Sequence, residues 1–191
     1  MTLAEQLRKV TDRLRRAPRA TEALSTENRP PRQLRLTAQL FEGGGMPTLR
    51  SGRAGVSPAL SWTAVPPETK QLALLCEDPD APASEPFVHW SAYRIPPTTK
   101  SLPSGVPPGP VADGYPNTEA FAQGRNSAGF DGFTGPEPPT EHGVRHLRVR
   151  LFALDTTLEL APGADRESLL RAMTGHVLAS GTVEGTYEAA A

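Results

Sequence analysis

Twenty-one prolines punctuate the 191 residues. Proline lacks a backbone N–H, and in a helix it clashes with the turn behind it. Together with 17 glycines, the prolines predict a chain rich in turns, with long helices a minority. The stretches between them are short and apolar. Leu34, Leu36, Ala38 and Leu40 alternate with Arg35, Thr37 and Gln39, the period of a half-buried strand. Pro58 to Trp62 leads into a strand stopped by Pro66-Pro67, and Val88 to Ile95 reads as a strand closed by Pro96-Pro97. Leu72 to Cys76 is a continuous apolar run, as in a strand covered on both faces. Leu147, Val149, Leu151 and Ala153 alternate with Arg148, Arg150 and Phe152. Residues 101–144 carry no pattern, and so long a loop is usually functional. A helix is expected over 165–179, with an apolar stripe of Leu169, Leu170, Met173, Val177 and Leu178, ended by Gly181. Val183 to Tyr187 adds a last short strand. The fold class is mainly β, an antiparallel β-sandwich with peripheral helices.

Charge divides the chain. Residues 1–35 hold nine basic and four acidic residues, and the remainder holds 11 and 17, for a net of -1. That balance excludes a generally basic nucleic-acid binder. Thr2 and Glu5 have capping-box spacing, and Leu3, Leu7, Val10 and Leu14 form one stripe, which predicts a basic amphipathic helix over 1–16. Residues 17–33 read as a linker, so 1–33 stands apart from a domain at 34–191. The leucine stripe needs a surface: the body of the protein, a second copy in a homodimer, or an acidic membrane face. No window of 18 apolar residues predicts an integral membrane contact. The opening residues lack the basic-then-apolar order of a secretory leader. The one cysteine, Cys76, excludes an intramolecular disulfide and a cysteine-only zinc site. A reducing cytoplasm is the expected compartment.

Phosphate-loop, dinucleotide and nucleophile-elbow motifs are absent, and no cofactor is expected. Cys76 sits inside an apolar run and reads as an inert core residue. A polar cluster at strand ends remains. Asp78-Pro79-Asp80-Ala81-Pro82 follows the most apolar strand, and its two prolines stiffen the loop. Such a loop holds a carboxylate for binding or proton transfer, or is simply a turn capped by an aspartate. His89-Trp90 lies within the next strand, as a ligand-facing or an interior histidine. Gly135-Pro136-Glu137-Pro138-Pro139 is a second rigid loop, followed by His142, Arg145 and His146. The HxxxH spacing crosses Gly143 into a strand, so no metal site is expected.

These motifs occur in a telling order: Gly55, Ser57, Pro58, Leu60 and Trp62; Asp78 to Pro82; His89-Trp90; Gly124-Arg125-Asn126; Gly135 to Pro139; Ala153-Leu154-Asp155. The order resembles the phosphatidylethanolamine-binding-protein family, in its bacterial Raf-kinase-inhibitor-like branch, over about residues 34–188. The resemblance implies a Greek-key β-sandwich with a C-terminal helix. It also implies a small pocket for phosphate-like anions, built from Asp78, Pro82, His89, Gly135 and Pro139. Such proteins usually continue into His-Arg-Tyr, whose His and Tyr face the anion. This chain reads Arg145-His146-Leu147 there. A one-residue shift would bring His146 to the pocket, but a slip in a strand sends every side chain to the other face. Leu147, Val149 and Leu151 form the apolar series, so Arg145 is expected to face inward, with a fixed charge for an oxyanion. Loss of the tyrosine is expected to remove an O–H and an aromatic wall. The leading expectation is a module that binds a small anionic or phosphate-bearing ligand. Asp78 would orient His89 or accept from a ligand amine, and His89 would donate to the anion. The alternatives are an enzyme using Asp78 and His89 for acid–base chemistry, and a protein-interaction regulator docking through residues 1–33.

Overall fold

The computed structural model describes residues 32–38, 55–81, 83–115, 118–136 and 145–187. The expected N-terminal helix, most of its linker, Pro82, Pro139 and His142 lie outside them. In chain order the strands are β1 (Arg32–Gln33), β2 (Arg35–Ala38), β3 (Leu60–Thr63), β4 (Gln71–Asp78) and β5 (Phe87–Ile95). They continue with β6 (Ser101–Leu102), β7 (Val111–Ala112), β8 (Phe121–Gln123), β9 (Arg145–Leu154) and β10 (Val177–Tyr187). Helix α1 (Arg166–Met173) precedes β10. A large sheet has the order β1-β10-β9-β4-β5-β8-β7, and a small one the order β2-β3-β6. Pairing is antiparallel except between β1 and β10.

The alternation in β9 and the unbroken apolar run of β4 have one explanation. The large sheet is covered on both faces. On the inner face, Leu72, Leu74 and Cys76 of β4 and Leu147, Val149 and Leu151 of β9 pack with Leu36, Leu60 and Trp62 of the small sheet. On the outer face, Ala73, Leu75, Phe152 and Leu154 pack under Leu169 and Met173 of α1. Fully burying each such leucine contributes about 1.5–3 kcal/mol. Glu77 continues the outer face, where it pairs with Arg150 at 2.5 Å and with Arg166 at the start of α1. That ion cluster fastens the helix to β4.

Three expectations need correction. The strand expected from Leu34 to Leu40 begins one residue later, as Arg35–Ala38 in the small sheet, with Gln39 and Leu40 outside the described residues, and Arg32–Gln33, expected in the linker, join the large sheet. The crossing point is Leu34, whose N–H donates to Ser180 O at 2.9 Å. There the chain runs so close to Gly181 that a Cβ on the glycine would lie 2.8 Å from Leu34 O. Gly181 is therefore a strand residue, and the helix ends earlier. Asp165 caps α1 by accepting from Ser168 N–H at 2.8 Å, and Gly175, with φ +80°, turns the chain out of it. Val177, apolar at helical spacing, instead opens β10 opposite Leu154. Finally, residues 101–144 contain β6, β7 and β8, too short to show a period. Gln123 of β8 is a hub: its amide donates to Pro107 O and Gly109 O, and its oxygen accepts from Trp90 Nε1 at 2.8 Å.

Candidate functional site

A pocket of about 430 Å³ opens at the end of the large sheet where β4 and β10 finish and β5 and β9 begin. Strand chemistry places each polar group. Asp78 is the last residue of β4 and is fully buried. His89 owes its position to a bulge: Cys76 faces Trp90, but Glu77 faces Val88, leaving His89 as the extra residue. A bulge re-aims a side chain without ending the ladder. Trp90 enters the inner core while His89 lines the pocket. Arg145 begins β9 on the same face as Leu147 and Val149, and is 7% exposed. Its partner across the ladder is Tyr187, the last residue of β10. Phe87, Phe130, Thr134 and Gly135 complete the wall that matters here.

The buried Asp78 carboxylate is well supplied with donors. Oδ1 accepts from Asp80 N–H at 2.7 Å, and Oδ2 accepts from Tyr187 O–H at 2.5 Å and pairs with Arg145. The Arg145 guanidinium also lies 5.9 Å from the Tyr187 ring centroid, within cation–π range. Burial, and then the bond to Asp78, push the Tyr187 hydroxyl pKa far up, so it stays a donor.

His89 is held differently from the expectation. Its Nδ1 is 2.9 Å from Thr134 O, and its Nε2 has no partner among the described residues. A carbonyl only accepts, so Nδ1 carries a proton, and in the neutral ring Nε2 then presents a lone pair. Burial lowers the His89 pKa; the Arg145 charge acts in the same sense, while the Thr134 bond and Asp78 oppose it. Thr134 therefore orients His89 in place of Asp78, and in the neutral ring Nε2 is an acceptor. Phe87 packs on it with ring centroids 4.9 Å apart.

Of the residues singled out from sequence, Asp78, His89, Gly135 and Arg145 meet at this pocket, and Pro82 and Pro139 lie outside the described residues. His146 does not line it. Its backbone N–H and its Nδ1 both engage Asp80 Oδ2, at 2.9 and 2.7 Å. It staples the loop after β4 to β9 from the outer side. Burial pushes the Asp80 carboxyl up, but the His146 hydrogen bonds and charge outweigh it and hold the pKa below its usual value. The expected loss of an O–H and an aromatic wall also needs correction. Leu147 does stand in the inner core, and Tyr187 supplies both groups from the neighbouring strand. Only the β9–β10 register reveals this, since 42 residues separate Tyr187 from Arg145 in the chain.

The phosphatidylethanolamine-binding protein family model matches residues 36–188. The chain belongs to that family. A UPF0098 protein from Methanothermobacter thermautotrophicus is 47% identical over 133 residues, covering 69% of this chain and 82% of that one. A UPF0098 protein from Chlamydia muridarum is 36% identical over 162 residues, covering 81% of this chain and 99% of that one. Among solved structures, a phosphatidylethanolamine-binding-protein homologue from Chlamydia trachomatis is 34% identical with TM-score 0.69, covering 84% and 100% of the two chains. YbcL of Escherichia coli is 26% identical with TM-score 0.73, covering 83% and 99%. The mainly β, two-sheet fold is thus that of the family. Among the described residues no helix is long and apolar enough to cross a membrane.

Proposed function

We propose that this member of the family binds a small anionic, phosphate-bearing ligand in the pocket formed by Asp78, His89, Gly135, Arg145 and Tyr187. One observation carries the reading. Arg145 is almost buried at a 430 Å³ pocket, yet its Nε has no hydrogen-bond partner among the described residues. A buried guanidinium donor without an acceptor is costly, and an oxyanion supplies that acceptor. Asp78 and Tyr187 hold the guanidinium in place.

The acid–base alternative has less support. Asp78 is engaged by Arg145 and Tyr187, and His89 by Thr134. A general base needs a hydrogen-bonded path to the proton it moves, and the expected Asp78–His89 pair is not formed. The test is calorimetric titration with inorganic phosphate and phosphoethanolamine, beside Arg145→Ala and His89→Ala. Binding that both substitutions weaken is expected. Equal affinity in Arg145→Ala would refute the assignment.

A further inference from the structure

The two unpartnered polar atoms of the pocket have opposite requirements. Among the described residues, Arg145 Nε is a donor without an acceptor, and Nε2 of the neutral His89 ring is an acceptor without a donor. Among the described residues that line the pocket the charge is already balanced, because Asp78 on β4 cancels Arg145 on β9. Tyr187 on β10 is a neutral donor spent on Asp78. Asp80 and His146 pair with each other nearby. Burial of His89 disfavours its protonated form, which favours the ring with a lone pair on Nε2.

A dianion entering this site would bring two uncompensated charges into a largely buried space, where extra charge is expensive. It would also set an oxygen lone pair against the lone pair of Nε2. A singly protonated phosphate group satisfies both atoms. One P–O⁻ accepts from Arg145 Nε–H, and the P–O–H donates to His89 Nε2. Resting on the anion-binding reading above, we infer that the pocket selects the phosphate monoanion bearing one acidic proton, as inorganic phosphate or a monoester. It does so over the dianion, over diesters such as intact lipid headgroups, and over sulfate, none of which carries that proton.

The experiment is calorimetry on the full chain with inorganic phosphate, methyl phosphate, dimethyl phosphate and sulfate. A monoester's second pKa is about 6, so its monoanion fraction falls roughly 25-fold between about pH 5.5 and 7.5. Affinity for methyl phosphate is expected to fall by the same factor. Dimethyl phosphate, which has no titrating proton, is the control for titration of the protein itself and should bind with a flat profile. At about pH 5.5, both it and sulfate should bind at least ~10-fold more weakly than methyl phosphate, since each leaves Nε2 unpaired. Whichever of inorganic and methyl phosphate binds tighter identifies the source, and both carry the required P–O–H. His89→Gln, whose amide can turn its NH₂ toward the ligand, should flatten the methyl phosphate profile and narrow the gap to the diester.

Methyl phosphate affinity that is flat or rises with pH, or a diester that binds as tightly, would overturn the selection rule and leave an anion site standing. An unflattened profile in a folded His89→Gln protein would overturn the role given to Nε2. Absence of binding by all four anions to folded protein would take down the anion-site reading itself.

Discussion

Arg145 and Asp78 form an ion pair inside the protein, and its worth is measurable apart from any ligand. The substitution is Arg145→Met, which keeps the apolar stem and removes the charge. Asp78 is fully buried, so the variant leaves a carboxylate with no counter-ion in low dielectric. Breaking a buried pair from one side costs about 3–5 kcal/mol. The lower end is expected, about 3 kcal/mol, because Tyr187 O–H and Asp80 N–H still donate to the carboxylate. Urea denaturation reads this as a lower midpoint with unchanged slope. For a domain of this size it corresponds to a fall of roughly 6–12 °C in Tm. The discriminating arm is Asp78→Asn with Arg145→Met. With both charges gone the desolvation penalty disappears, and the double variant should be more stable than Arg145→Met alone, although it carries one more substitution. A loss below about 1 kcal/mol in Arg145→Met would place the pair in the solvated surface class and refute the reasoning. So would a double variant whose loss equals the sum of the two singles.

Tyr187→Phe removes one hydrogen bond to a charged acceptor and should cost about 1.5–3 kcal/mol in the same urea assay, while leaving the ring against Arg145. Burial lowers the His89 pKa, so the unfolded chain takes up a proton that the folded one resists. The His89 contribution is therefore complete above the unfolded value of about 6.5 and is lost as pH falls below it; the stability-versus-pH slope just below that value should shrink in His89→Gln. Gly181→Ala places a methyl group 2.8 Å from Leu34 O and should destabilise by about 1–3 kcal/mol; unchanged thermal unfolding would show that the β1–β2 crossing yields easily.

The alternation at 147–153 and the apolar run at 72–76 were enough to place β9 and β4, because a sheet's periodicity is written directly into its side chains. The same alternation put Arg145 on the inner face and His146 on the outer one. The turn that follows Asp78 was visible from Pro79. What stayed hidden involved pairing. β6, β7 and β8 are two or three residues each and exist only because a neighbour supplies the hydrogen bonds. Val177 looked helical because apolar spacing near a helix end also fits the first residue of a strand, and only the ladder opposite Leu154 separates the two.

By itself the sequence determined that the chain is built of short strands, and which residues point inward along β4 and β9. It also carried the ordered motifs that resemble its family and the series Arg145-His146-Leu147. The tertiary structure alone decided what that series does. It set Tyr187 opposite Arg145 through a ladder between distant segments. It spent the Asp78 carboxylate on both of them. Through a one-residue bulge and the Thr134 carbonyl, it held His89 by Nδ1 and left Nε2 without a partner among the described residues. The reason is physical: side-chain period is a local property of the chain. Hydrogen-bond partners, tautomers and compensating charges are set by whichever atoms folding brings within about 3 Å.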